Sequence, residues 1–371
     1  MKKSVVINNH VINEKKRIFI IAEAGINHNG ELDKALQLVD IAASIGADAV
    51  KFQTFRTDEV TTDRAGLAKY QENNLGRAIS QKEMIKKFEL PESDWPKIVS
   101  RCQEKGILFL STPHGGQQSV ELLESLGVCA YKIGSADVTN YILLQNVAET
   151  HKPVVISSGM SDFQEIANAV TFLQIKGAQE IVALHCTTNY PCKVEDANLA
   201  AMITMMGNLN VPVGYSDHTT DKRVAAVAAI LGMALYEFHF TIDKNFPGPD
   251  HKASANPEEA EARISIIRKI ESKSKTEKIN FIKNLGNFYS IVLGTSDKKP
   301  NARAVGISQV ARKSIVASRP LSAGHLLALE DIKAKRPGTG LSPTYFEKLL
   351  GKKLKCQKKF DEQILLEDVL P

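Results

Sequence analysis

"VPVGYSDHT" (Val211–Thr219) opens as a buried strand should and stops on three polar groups, Ser216, Asp217 and His218. "ALYEFHFT" (Ala234–Thr241) repeats the design, and its His239 follows His218 by 21 residues. Whether this pattern is local or general decides the fold. It is general. Earlier runs of the same kind are "RIFIIAEAG" (Arg17–Gly25), "DAVKFQT" (Asp48–Thr54), "ILFLSTP" (Ile107–Pro113), "AYKIGS" (Ala130–Ser135), "PVVISSGM" (Pro153–Met160) and "IVALHCTT" (Ile181–Thr188). Each is almost continuously apolar rather than alternating, as expected of strands covered on both faces in a parallel sheet.

The segments between the runs read as amphipathic helices. "ELDKALQLVDIAASIG" sets Leu32, Leu36, Val39 and Ala43 on one stripe and stops at Gly46, a helix-ending residue. "DFQEIANAVTFLQIKG" stops in the same way at Gly177. "NPEEAEARISIIRKI" opens with Asn256 as cap, Pro257 at the first helical position and acids in the first turn. Eight strand–helix units in about 260 residues match the size of a (β/α)8 TIM barrel, an α/β fold. A doubly wound open sheet could use the same elements, but no run is followed by GxGxxG or GxxxxGK[ST].

The rest of the chain divides around that barrel. Residues 1–16 predict a hairpin capping its far end, and 17–285 the barrel. The connection after the second strand is long, which suggests a lid or a partly helical insertion. Residues 286–307 are polar and read as a linker; 308–371 read as a small β-rich domain with a marginal core that needs a docking surface.

Bulk properties exclude several classes. Of 371 residues, 43% are hydrophobic and 24% charged, ordinary for a globular protein. A net charge of +5 from 47 basic and 42 acidic residues is too mild to argue for nucleic acid, and "GKKLKCQKK" (Gly351–Lys359) reads as a solvated face. Five scattered cysteines with no CxxC argue against a disulfide framework or zinc ribbon. No run approaches the ~18 apolar residues of a membrane span, and the start lacks a signal-peptide core, so the expected compartment is the cytosol.

In a TIM barrel the chemistry gathers at the C-terminal ends of the strands. Here every strand ends polar. In chain order the ends offer Glu23 with Asn27 and His28; Lys51 and Gln53; Thr112; Lys132 and Ser135; Ser157 and Ser158; His185, Thr187, Thr188 and Tyr190; Ser216, Asp217 and His218; and Glu237 with His239. Neighbouring strands lie ~4.8 Å apart, so His218 and His239 could share one ion. Two imidazoles with oxygen ligands suit Mn, Fe, Co, Ni or Zn, and they leave positions for water and substrate. The bland reading is that His218 caps a loop and His239 packs in the core. Lys51 and Lys132 sit on apolar strands, where an ammonium needs a partner. That partner is either an anionic ligand or Glu23 and Glu237. A lone buried lysine could instead form a Schiff base.

The motifs "IAEAGINHNG", "DAVKFQT", "YKIGS", "HCTTNYP", "GYSDHT", "GPDHKAS" and "KRPGTGLSP" together resemble, in order and over nearly the whole chain, the bacterial nonulosonic acid synthases, the sialic acid synthase family. The C-terminal module resembles the antifreeze-like (SAF) domain of those enzymes. The resemblance implies condensation of phosphoenolpyruvate (PEP) with an N-acetylated amino sugar and release of phosphate by C–O cleavage. The sugar would be N-acetylmannosamine or 2,4-diacetamido-2,4,6-trideoxymannose, the product of sialic or legionaminic type. It also implies a divalent metal on His218 and His239, Mn2+ first with Mg2+ or Co2+ as alternatives, and Glu23 handling protons or a metal-bound water. Lys51, Thr112, Lys132, Ser135, Ser157 and Ser216 would hold PEP; Gln53, Tyr190, Asp250 and Arg336 would hold the sugar. Arg336 would reach from the SAF domain into a partner's barrel, making a domain-swapped homodimer.

The chain departs from the family's pattern in places. "STPF" is "STPHGG" with His114, "GSGE" is "GSAD" with Ala136 and Asp137, the basic residue of "EKHF" is Phe238, and Thr188 replaces Asn. "HCTTNYP" and "NFPGPDHKAS" lean towards the legionaminic branch. Two rival readings are a Schiff-base aldolase using Lys132 or Lys51, and a non-catalytic sugar-binding barrel.

Overall fold

In the computed structural model, which describes residues 4–67, 71 and 80–370, two short strands begin the chain: β1 (Val5–Ile7) and β2 (His10–Ile12), an antiparallel hairpin. Eight parallel strands follow where the apolar runs predict them: β3 (Phe19–Gly25), β4 (Ala49–Thr54), β5 (Leu108–Pro113), β6 (Tyr131–Ile133), β7 (Val154–Ser157), β8 (Ile181–Cys186), β9 (Val213–Asp217) and β10 (Leu235–His239). Their hydrogen-bonded order is β5-β4-β3-β10-β9-β8-β7-β6, and β5 lies beside β6. The sheet therefore comes round on itself as a TIM-like barrel.

Strand parity separates two cores. Ile21, Leu110, Val155, Leu184 and Leu235 point inward and pack with Val5, Ile7 and Ile12 of the hairpin, which plugs the N-terminal end. The alternate residues, such as Ile20, Val50, Ile156, Tyr215 and Tyr236, point outward and pack under the helices. Gly214 falls on the inward parity of β9. A Cβ there would lie 2.4 Å from the Leu235 carbonyl oxygen, so no other residue fits that wall.

The helices show why an apolar stripe alone can mislead. Helix Leu32–Ser44 buries Ala35, Leu38, Val39 and Ala42, while Leu32, Leu36 and Ala43 are only partly covered. The small Ala35 and Ala42 allow close approach to the sheet, so the buried face is turned from the expected one. Helix Pro257–Glu271 begins as expected, with a reciprocal capping box between Asn256 and Glu259.

Where a linker was expected, at 286–307, the chain forms helix Asn287–Leu293 and begins helix Ala302–Ala311, and helix Lys275–Leu285 precedes them at the end of the barrel segment. The signal was present: Ser274 and Glu277 make a capping box, which outweighs the polar composition. Beyond them β11 (Ser314–Ala317) and β12 (Ile332–Lys335) pair antiparallel over a small core of Ile315, Leu327, Phe346, Leu349 and Ile364. That core is completed by Tyr141, Ile142 and Phe172 of the barrel helices, so the module is docked rather than free-standing. The long connection after β4 contains helices Thr57–Val60 and Gln81–Lys87; the rest of its expected lid, 68–70 and 72–79, lies outside the described residues. Among the described residues no helix is long and apolar enough to cross a membrane.

Candidate active site

The inward parity that builds the apolar plug also builds the site. Two residues beyond an inward apolar side chain, the next inward side chain is polar: Ile21 leads to Glu23, Ala49 to Lys51, Leu110 to Thr112, Val155 to Ser157, Leu184 to Cys186, and Leu235 to Glu237. A further step of two reaches Gln53, His114 and His239. The thirteen residues to which the resemblance gives a role, Arg336 included, all line one pocket at this end of the barrel.

Its floor carries four charges. Lys51 Nζ lies 2.5 Å from Glu23 Oε2 and 3.6 Å from Glu237 Oε2, and Lys132 Nζ lies 3.1 Å from Glu237 Oε1. The bland expectation for these lysines, a carboxylate partner, is thus met in the chain alone. Thr112 Oγ1 stands 3.2 Å from Lys51 Nζ, and Ser216 Oγ donates to Glu237 Oε1 at 3.1 Å. Burial favours the neutral acid of Glu237, but Lys132 and Lys51 outweigh it and hold the carboxyl down at about 2. Glu23 moves the other way, raised chiefly by burial despite Lys51. Burial lowers Lys132, with Glu237 opposing. Ser157 Oγ is buried without a hydrogen-bond partner among the described residues. An ion-paired floor with an unfilled hydroxyl is a surface suited to an anion that exchanges for the carboxylates.

Beside it stand the imidazoles. The His218 and His239 rings are 5.4 Å apart, centroid to centroid, and Tyr190 covers both at 4.3 and 5.5 Å. His218 Nδ1 lies 2.8 Å from the Thr187 carbonyl oxygen, which leaves Nε2 for another partner. His239 Nδ1 is buried and unpartnered among the described residues, and burial, then His218, push this ring well below its ordinary range. Burial disfavours charge on His218, but Cys186 and the Thr187 carbonyl outweigh it and raise the ring to about 9, so a divalent cation binding this pair displaces a proton. No cluster of three or more His, Cys, Asp or Glu ligands exists among the described residues. An ion here would be completed by water or substrate.

Several strand-end residues serve the frame instead. Asp217 points outward, where Arg263 Nη1 (2.9 Å), Tyr236 Oη (2.8 Å) and the Thr219 backbone N–H (2.9 Å) clamp it. It thereby fixes the turn that presents His218. His185 also points outward, its Nε2 on the Ala197 carbonyl at 2.9 Å. Asn27 donates to Phe240 O and Ser254 Oγ, and Ser158 donates to Leu184 O. Phe238, which stands in place of the family's basic residue, is buried on the outer face under Arg263.

Arg336 lines the pocket within the single chain: its backbone N–H donates to the Val60 carbonyl at 2.9 Å and its carbonyl accepts from Thr62. Sequence reasoning passed over Cys186, 3.6 Å from His218 Nδ1, and Lys298, whose buried ammonium donates to Ser158 O and Ser161 O at 2.7 and 2.8 Å. Neither has a spacing signal, because their partners come from segments distant in sequence.

With this geometry in view, comparison with known proteins is informative. The NeuB family matches residues 38–279, and the SAF domain matches 312–370. The N,N'-diacetyllegionaminic acid synthase of Legionella pneumophila is 39% identical over 95% of this chain and 94% of its own. The synthase of the same name from Campylobacter jejuni is 36% identical over 94% of this chain and 99% of its own. The crystal structure of spore coat polysaccharide biosynthesis protein SpsE from Bacillus subtilis superposes with a TM-score of 0.81 at 31% identity, covering 100% of this chain and 99% of that one.

Proposed function

The chain belongs to the NeuB family, and we propose that it is a PEP-dependent nonulosonate synthase that joins PEP to an N-acetylated amino sugar and releases phosphate. The observation that carries this reading is the ion-paired floor of Lys51, Lys132, Glu23 and Glu237 directly beside the His218–His239 pair. The names of the two similar synthases support a 2,4-diacetamido-2,4,6-trideoxymannose over N-acetylmannosamine, and so a legionaminic-type product.

In this reading Lys51, Thr112, Lys132, Ser135, Ser157 and Ser216 bind the phosphate and carboxylate of PEP. Gln53, Tyr190, Asp250 and Arg336 orient the sugar so that its C1 faces C3 of PEP. A divalent ion held by His218 and His239, Mn2+ before Mg2+ or Co2+, supplies Lewis-acid polarisation of the sugar carbonyl when bound. The C2=C3 pair of PEP forms the C3–C1 bond as the sugar C=O opens, water adds at C2, and the C2–O bond then breaks as the C2 hydroxyl becomes the ketone and gives its proton to the leaving phosphate. Glu23, kept protonatable by burial, takes the first proton of that water and passes it to the sugar oxygen, which becomes a hydroxyl. Lys132 and Lys51 balance the charge on the leaving phosphate.

We read residues 1–16 as a capping hairpin, 17–285 as the catalytic barrel, 286–307 as the connecting arm and 308–371 as the SAF domain. The working unit in this reading is a homodimer that exchanges SAF domains. Exchange of an identical element preserves the contacts Arg336 makes within one chain. The exposed Ile279, Ile291 and Val305 of the connecting helices support burial against a second copy.

The test is phosphate release, with product mass, from PEP, Mn2+ and a panel of amino sugars. Release with one acylated hexosamine and a product heavier by the pyruvyl unit supports the reading. Silence across the panel would revive a sugar-binding barrel, and covalent trapping by borohydride at Lys132 or Lys51 would favour the aldolase.

A further inference from the structure

Two of the places where the chain departs from the family's pattern lie 23 residues apart in sequence and meet in space. His114, at the end of β5, sets Nδ1 3.2 Å from Oδ2 of Asp137, in the turn after β6. Asp137 is fully buried, and its Oδ1 also receives Lys313 Nζ at 3.1 Å and Asn140 Nδ2 at 2.8 Å. Lys313, from the start of the C-terminal module, donates in addition to the His114 carbonyl at 2.6 Å. A charged network thus spans barrel and module and ends on a ring that lines the pocket with Gln53 and Arg336. The ring lies over Gly134, where a Cβ would come 3.4 Å from its Cε1.

The chemistry of the network sets the tautomer. Burial opposes the charge on Asp137, but Lys313 and His114 hold the carboxyl well below its usual range, so it only accepts hydrogen bonds. Nδ1 therefore carries the proton. His114 itself stays neutral, held down at about 4 by burial first, with Arg336 and Lys313 adding to it and Asp137 opposing. A neutral ring with its proton on Nδ1 presents a bare lone pair at Nε2, and among the described residues Nε2 has no partner. An acceptor on a ring that lines the pocket disfavours phosphate or carboxylate and favours a donor. On the sugar, the acylamino N–H is such a donor.

We propose that His114 is a specificity-determining residue that accepts a hydrogen bond at Nε2 from the acylamino N–H of the sugar, and that Asp137 and Lys313 hold it there. This rests on the synthase reading above. His114→Phe removes the acceptor while leaving Asp137 with Lys313 and Asn140. His114→Gln keeps the order, with amide N–H to Asp137 and carbonyl oxygen to the pocket.

The experiment compares the preferred acetamido sugar with an analogue carrying acetoxy in place of acetamido, in the Mn2+-loaded enzyme with PEP. The wild type prefers the acetamido sugar by about tenfold in kcat/KM, the worth of one such bond. In His114→Phe the preference collapses through sugar KM, while kcat and the KM for PEP stay within about twofold. His114→Gln keeps most of the preference. An undiminished preference in His114→Phe, or none in the wild type, overturns the inference; the wild-type comparison stands even if the Phe variant does not fold. A wild type that releases no phosphate with any amino sugar fails the synthase reading instead, a different result.

Discussion

Lys51 Nζ and Glu23 Oε2 meet at 2.5 Å across the neighbouring strands β4 and β3, both side chains almost wholly buried. Removing one member of a buried pair leaves an uncompensated charge, which costs about 3–5 kcal/mol. Lys51→Met is therefore expected to lower the urea midpoint markedly. PEP should raise the melting temperature of the wild type and fail to do so in the variant. An equal PEP-dependent shift in both proteins would remove Lys51 from the anion subsite.

The clamp on Asp217 makes a different prediction. Arg263 touches no pocket group, yet it holds the carboxylate that sets the turn before His218. Arg263→Met should lose about 3–5 kcal/mol in urea unfolding. The loss of kcat should exceed any rise in the KM for PEP, because His218 moves and the floor does not.

Mixing subunits tests the arm. Arg336→Ala keeps a sound barrel, and His239→Ala keeps a sound SAF domain. If the domains exchange, co-refolded mixtures recover about a quarter of wild-type activity, because half the dimers hold one good site of two. No recovery would mean that each Arg336 serves its own barrel.

Acid sensitivity follows from buried neutral imidazoles. Burial holds His28 and His185 down at about 3, and His251 and His114 at about 4. Unfolded histidines take up protons near 6.5. Between roughly 6.5 and 4 the unfolded chain therefore binds more protons, and stability falls as pH falls, by up to about 1.4 kcal/mol per unit for each ring. Denaturant melts from pH 7 to 5 should show this slope. His185→Gln, which can still reach the Ala197 carbonyl, should flatten it by about one proton.

The barrel was legible because strands covered on both faces must be apolar throughout, and eight such runs can be counted. The site was legible because the same parity that fills the plug with Ile21 or Leu235 delivers Glu23 or Glu237 two residues on. What escaped depends on contacts between segments far apart in the chain. The His114–Asp137 pair, the hold of Lys298 on the loop after β7, and the outward turn of Asp217 and His185 each involve partners distant in sequence. The helices after Glu271 escaped for another reason: their exposed polar faces hide a pattern that the caps at Ser274 and Asn301 disclose.

The most direct test of the account is a Mn2+ titration followed by the loss of free-ion paramagnetic resonance, in the wild type, His218→Ala and His239→Ala. The account predicts one tight ion per wild-type chain and affinity weakened by at least about tenfold in each variant, with folding intact by circular dichroism. Equal binding by all three proteins would contradict it.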